Sequence, residues 1–164
     1  MKISVVGLGY VGLPLAVALS KKHEVIGLDI NEARIEELKQ NIDRTDEVSA
    51  EELQNISIEY TSDMTQTSLC SIHIVTVPTP IDEFLKPDLT PVIKATESLA
   101  KIIKKGDIIV YESTVYPGVT EDICVPILET SGLKFNTDFY CGYSPERINP
   151  GDKVHRVETI KKVV

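Results

Sequence analysis

No tryptophan occurs in these 164 residues, and only three phenylalanines and three cysteines do. Cys70, Cys124 and Cys141 are odd in number and widely spaced, so they form neither a disulfide framework nor a metal-ligand pattern. Cations are also short, with 17 Lys and Arg against 25 Asp and Glu and a formal charge of −8. That balance leaves no basic face for sequence-blind nucleic-acid binding. Any phosphate the chain holds must be held locally, by backbone N–H groups and a few placed side chains. No apolar run approaches the ~18 residues of a membrane span. The N-terminus runs straight into a strand pattern without the layout of an export signal, so a reducing cytoplasm is the expected compartment. Repeats and low-complexity stretches are absent as well. What is present is 42% hydrophobic and 26% charged, the balance of an ordinary globular protein. At this length one domain is expected, burying roughly 70% of the unfolded chain's surface.

Short β-branched runs alternate with longer amphipathic ones. Lys2 to Val6 reads as a buried strand, followed by glycines and a helix over 11–20 with Pro14 in its first turn. Glu24 to Asp29 is a second strand, and Asn31 caps a helix through about Gln40. Ser49 and Glu52 make a capping box on a short helix, and Ile56 to Thr61 a strand. Ile72 to Val77 is a buried strand stopped by Pro78 and Pro80. Leu89, Val92, Ile93, Thr96, Leu99 and Ile103 recur at helical spacing within 88–104, with Gly106 just beyond. A strand over 107–112, a helix over 120–131 kinked at Pro126, a strand over 139–142 and a strand over 160–164 complete the reading. The order predicts a doubly wound α/β fold, with a mainly parallel sheet and helices on both faces. Ligands of such sheets gather at the C-terminal ends of the strands.

Gly7-Leu8-Gly9-Tyr10-Val11-Gly12 follows the first strand and opens the first helix. The first Gly permits a tight turn, the second lets backbone approach a pyrophosphate, and the third lets helix and strand pack closely. Asp29 stands 22 residues after Gly7 at the end of the next strand, where an acid meets adenosine ribose hydroxyls and repels a 2′-phosphate. NAD rather than NADP is therefore the expected cofactor. Arg34 suits an adenine stack, a ribose contact or an ordinary solvated helix cation. Thr79 sits between two prolines at a strand end, and the run from Glu112 to Gly118 brings hydroxyls, Thr114 among them, to the same edge. Each also reads as plain turn or cap chemistry. Ser144-Pro145-Glu146-Arg147 follows the last full strand, where Glu146 suits a general base and equally a surface ion pair. Asp152, Lys153, His155 and Arg156 continue a charged stretch with the composition of solvated loop. The three cysteines lie in or beside apolar runs, as buried structural thiols do. His23 reads as exposed and His73 as packed, neither with a catalytic partner.

With these motifs the chain resembles the NAD-binding domain of the UDP-glucose/GDP-mannose dehydrogenase family over essentially all of 1–164. The residues that carry the resemblance run from Ile3 to Pro14, from Val77 to Pro80, from Glu112 to Gly118 and from Ser144 to Arg147. The run from Pro145 to Asp152 is most similar to the branch acting on UDP-N-acetylhexosamines, including capsule and Vi-antigen enzymes. Where plain UDP-glucose dehydrogenases carry a second glutamate, this chain has Pro150.

The resemblance implies a Rossmann-type fold and oxidation of a sugar C6 alcohol to the acid with two NAD, for surface polysaccharide synthesis. It implies that Gly7, Gly9, Tyr10, Val11, Gly12, Asp29, Arg34, Thr79 and Thr114 serve NAD and that Glu146 serves catalysis, with no metal. It gives none of the three cysteines the nucleophile's role, because the family's reactive thiol belongs to a later motif. The dimer-forming central helix and most of the UDP-sugar pocket belong there too, so these residues read as the cofactor domain of a longer homodimeric enzyme. UDP-glucose, UDP-N-acetylmannosamine and GDP-mannose are the alternative substrates. A non-catalytic NAD module is a rival of another class. A hydroxyacid-type dehydrogenase explains the glycine loop but leaves Thr79, Thr114 and Glu146 without matching motifs.

Overall fold

Each run rich in Val and Ile forms a strand, because β-branched side chains suit a pleated surface covered on both sides. The computed structural model describes residues 1–81 and 86–145. Its strands are β1 (Lys2–Val6), β2 (Glu24–Leu28), β3 (Ile58–Thr61), β4 (Ile72–Val75), β5 (Ile108–Tyr111) and β6 (Tyr140–Tyr143). The helices are α1 (Gly12–Ser20), α2 (Glu32–Lys39), α3 (Ala50–Gln54), α4 (Thr90–Ala100) and α5 (Val125–Glu129). The sheet order is β3-β2-β1-β4-β5-β6, and every neighbouring pair is parallel. The chain winds one way from β1 to β3, then crosses back to β4 on the other side of β1. That reversal opens a crevice between the loops after β1 and β4.

Alternation along β1 divides the core. Val5 packs in one cluster with Leu13, Val17, Ile35, Leu38 and Leu53, which come from α1, α2 and α3. Val6 packs in the other with Val92 and Leu99 of α4 and Leu128 of α5. Helices therefore cover both faces. Leu99 is fully buried, and truncating such a residue to Ala costs about 2–5 kcal/mol.

Two local readings change, and one turn is added. The helix expected over 120–131 with a kink at Pro126 is a π-helical turn over Val119–Cys124 leading into α5, with Pro126 in the first turn of α5. Proline has no N–H to donate, so the wider turn before it puts proline where no intrahelical bond is demanded. The helix expected over 88–104 narrows to α4, because Asp88 caps the backbone N–H of Thr90 and Pro91 occupies the first turn. A 3₁₀ turn over Met64–Thr67, anchored by Asp63 accepting from the Thr65 N–H, had no periodic signal to announce it. The strand expected over 160–164 lies outside the described residues. No described helix is long and apolar enough to cross a membrane.

Candidate functional site

The strands end level. Val6 is in register with Leu28 and Val75, and Val75 with Tyr111, so the loops that follow leave one edge of the sheet. After Val6 the chain turns at Gly7, whose φ of +97° is a left-handed conformation that side chains disfavour. The Gly7 N–H donates to Leu28 O at 2.7 Å. Gly12 is pressed against this turn. A Cβ there would lie 1.8 Å from Gly7 O and 2.4 Å from Thr76 Oγ1, and that hydroxyl donates to Gly7 O at 2.6 Å. Gly9 is different, since an added Cβ would meet nothing within 4 Å. Its open side leads to the N-terminus of α1, where the Leu13 N–H donates back to Gly9 O at 3.1 Å and Pro14 has none to give, so the donor left at the first helical position is the Gly12 N–H. Tyr10 is 51% exposed and Val11 half-buried at this entrance.

Asp29 follows β2. Its Oδ2 accepts from the Leu8 N–H and its Oδ1 from the Asn31 N–H, each at 2.9 Å. Each oxygen keeps a further lone pair for a ligand hydroxyl. Asn31 caps α2 by accepting from the Arg34 N–H at 3.3 Å.

Arg34 corrects one alternative, for it is only 4% exposed and is no solvated cation. Its Nε donates to Leu8 O at 3.0 Å and its Nη2 pairs with Asp43 Oδ1 at 2.7 Å. A cation this deep needs a paired charge, and Asp43 supplies it. Asp43 was not singled out in the sequence. It also accepts from Thr45 N–H and Oγ1–H and from the N–H groups of Glu47 and Val48. Burial pushes its carboxyl up, but the bonds from Thr45 and Arg34 outweigh that and hold it below the ordinary value. An Asp two residues before a Thr is a turn signal, which announces the loop but not the pairing.

Across the crevice, Thr79 Oγ1 donates to Thr114 O at 2.6 Å and Ser113 Oγ to Val77 O at 2.7 Å. The loops after β4 and β5 are therefore tied together, with Thr114 exposed on top. Tyr143 Oη reaches Val115 O at 3.4 Å from the end of β6. Gly7, Gly9, Tyr10, Val11, Gly12, Asp29 and Arg34 thus flank one side of the crevice, and Thr79 and Thr114 the other. Glu146 lies outside the described residues, as do Arg147, His155 and Arg156.

The remaining reactive side chains sit elsewhere. His73 is fully buried, as a packed strand residue should be, sharing a 2.7 Å hydrogen bond with Ser4 Oγ and facing Asp107 Oδ2 at 3.5 Å. Lys104 Nζ, on a half-exposed side chain, binds Asp107 and the carbonyl of Cys70 from the surface side of this cluster. His23, read as exposed, is half-buried. Cys70 and Cys124 are buried free thiols, and burial pushes all three thiols up, Cys141 to about 12.

The donor set fits a dinucleotide. Gly9 leaves room for a pyrophosphate at a helix N-terminus, and Asp29 offers lone pairs to a ribose diol. Comparison with known proteins agrees. Residues 1–164 match the NAD binding domain of the UDP-glucose/GDP-mannose dehydrogenase family. UDP-N-acetyl-D-glucosamine 6-dehydrogenase of Pseudomonas aeruginosa is 62% identical, over 99% of this chain and 39% of that protein. The enzyme of the same name from Salmonella typhi is 54% identical over the same shares. Among solved structures, UDP-D-ManNAc dehydrogenase from Pyrococcus horikoshii superposes with a TM-score of 0.86 at 30% identity, over 92% of this chain and 37% of that one. The chain spans about two fifths of the length of the curated relatives it matches.

Proposed function

This chain belongs to the UDP-glucose/GDP-mannose dehydrogenase family as its NAD-binding domain, and from that premise we propose that it is the cofactor half of a UDP-N-acetylglucosamine 6-dehydrogenase. The reaction oxidises the C6 alcohol of the sugar to the carboxylate, with NAD accepting a hydride in each of two steps. The observation that carries the reading is the crevice itself, with the Asp29-held glycine loop on one side and the Thr79–Thr114 clasp on the other. Identity of 62% to the glucosamine enzyme, against 31–37% to mannosamine enzymes, favours the first sugar. A UDP-N-acetylgalactosamine enzyme is the neighbouring alternative within the same chemistry.

Within this chain, the glycine turn and the positive end of α1 face the pyrophosphate and Asp29 accepts from the adenosine ribose. Thr79 and Thr114 border the nicotinamide end. Glu146 is the candidate base that takes a proton from water when the acid is released. The thiol that captures the aldehyde, the dimer interface and most of the sugar pocket are assigned to the rest of the enzyme, which works in the cytoplasm for surface polysaccharide synthesis.

The test is NADH release by the full-length gene product with UDP-N-acetylglucosamine, UDP-N-acetylgalactosamine, UDP-N-acetylmannosamine and UDP-glucose. Two NADH per sugar with the glucosamine substrate preferred supports the proposal. Preference for another sugar reassigns the substrate, and no turnover with any refutes the activity. Glu146→Gln should leave a burst of NADH and a sugar mass trapped on the enzyme. Unchanged steady-state turnover would remove Glu146 from catalysis.

A further inference from the structure

The adenosine side of the crevice is supported by a closed ring of hydrogen bonds. The Leu8 N–H donates to Asp29 and the Asn31 N–H to the other Asp29 oxygen. Asn31 Oδ1 accepts from the Arg34 N–H, and the Arg34 side chain returns to Leu8 O. Both backbone groups of Leu8 are thereby fixed, one by the carboxylate that faces the ribose and one by a guanidinium. Beyond the ring, the Arg34 guanidinium is held by Asp43 at 2.7 Å.

We propose that Asp43 is a positioning residue for the adenosine half of the cofactor, acting through Arg34 on the Leu8 peptide and so on the Asp29 carboxylate. This rests on the reading of Gly7 to Gly12 as the NAD site. Three features favour the role. The Asp43 side chain is 1% exposed and that of Arg34 5%, so water cannot substitute for either. The four donors from Thr45, Glu47 and Val48 leave the carboxylate no freedom to turn away from Arg34. The remaining Arg34 nitrogen, Nη1, has no hydrogen-bond partner among the described residues and lies 3.9 Å from Glu37 Oε2. Glu37 is itself clamped at 2.6 Å by Arg44, so among the described residues Asp43 is the anion that hydrogen-bonds the guanidinium. Displacing it moves the guanidinium, which leaves Leu8 O with no donor and frees the Leu8 peptide to rotate away from Asp29. Preorganisation of this kind raises affinity by sparing the ligand the cost of ordering the loop.

The test compares the chain with its Asp43→Glu, Asp43→Asn, Arg34→Met and Arg34→Met/Asp43→Asn variants. Asp43→Glu keeps the charge paired and so folds, but carries the carboxylate one methylene away. In the ligand-free protein it should speed amide exchange at Leu8 at least tenfold, with core amides such as Ile74 and Val110 unchanged. Asp43→Asn should weaken NAD and AMP by about tenfold, Asp43→Glu by severalfold, and both should leave nicotinamide mononucleotide unaffected. In the Arg34→Met background the Asp43→Asn change should add less than twofold. Unchanged Leu8 exchange, equal losses for AMP and nicotinamide mononucleotide, or a full Asp43→Asn effect without Arg34 would each overturn the inference. Failure of the unaltered chain to bind NAD would instead overturn the proposed function, while the exchange result would still decide whether Asp43 braces the loop.

Discussion

Two glycines of one motif should fail in opposite ways when given a methyl group. At Gly12 the new Cβ would lie 1.8 Å from Gly7 O and 2.4 Å from Thr76 Oγ1. Carbon and oxygen need more than 3 Å, so helix and strand must separate by over an ångström. The first obstacle is backbone, and the second is a hydroxyl held at 2.6 Å on that same carbonyl, so neither can swing aside. Overpacking costs typically 1–3 kcal/mol, and a rigid site belongs at or above the upper end, about 3 kcal/mol. For a chain of this size each kcal/mol lowers Tm by about 2–4 °C, which gives a fall of roughly 6–12 °C for Gly12→Ala. At Gly9 nothing stands within 4 Å of the added carbon. Gly9→Ala should therefore melt within about 0.5 kcal/mol of the parent. Its methyl group occupies the approach of the pyrophosphate, so NAD affinity should fall by tenfold or more. Calorimetric melting without ligand and titration with NAD read both quantities. A Gly9→Ala protein that binds NAD like the parent would refute the placement of the pyrophosphate, and a Gly12→Ala protein with parent stability would refute the packing.

Arg34→Ala should destabilise the ligand-free chain by about 3 kcal/mol, the low end for breaking a buried ion pair, because Asp43 keeps its bonds from Thr45, Glu47 and Val48. A melt within 2 °C of the parent, about 1 kcal/mol or less, would return Arg34 to the surface. Asp29→Ala should weaken NAD by roughly 10- to 100-fold, from the loss of one or two charge-assisted hydrogen bonds, and narrow the preference over NADP. Unchanged affinity by titration calorimetry would take Asp29 out of the site. Acid should unfold the chain through its buried carboxyls. Burial raises Asp107, but bonds from His73 and Lys104 prevail and hold it below 3.8, as Asp43 is held. Groups with a lowered folded value add stability above about pH 4 and lose it as pH falls through that value. Tm should be flat from about pH 7 to 5 and drop steeply below about pH 4, less steeply in Asp107→Asn. Equal slopes in parent and variant would clear Asp107 of the effect.

Much of this was legible because parallel sheets write their strands as continuous apolar runs. Ile3, Val5 and Val6, and later Ile72, Ile74 and Val75, needed no context to be read. Right-handed crossovers left little freedom in topology. The glycine loop and Asp29 were legible for the same reason, since a βαβ unit of fixed length sets the distance between two adjacent strand ends. The meeting of Thr79 and Thr114 was not a matter of sequence spacing. It follows from the register of β4 on β5, which levels Val75 with Tyr111 and lets two loops 35 residues apart touch. The π turn before Pro126 escaped because proline announces only that a regular bond is missing, not how the chain will absorb the gap.

A rule about charge keeps a solvated cation among the alternatives for Arg34, although its periodicity already points inward. It precedes Ile35, which is buried, and stands four residues before Leu38, which is buried too. Positions i and i+4 share a helix face, so Arg34 had to point where Leu38 points. Arginine on an inward face is rare unless a partner waits for it. The useful deduction was therefore that some acid beyond the helix must lie within reach. The acids that follow α2 most closely are Asp43, Asp46 and Glu47, and only Asp43 stands two residues before a threonine, where an Asx turn aims its carboxylate back toward the chain it has just left. A charged residue on an apolar stripe thus announces a pair, and the search for its partner belongs in the nearest loop.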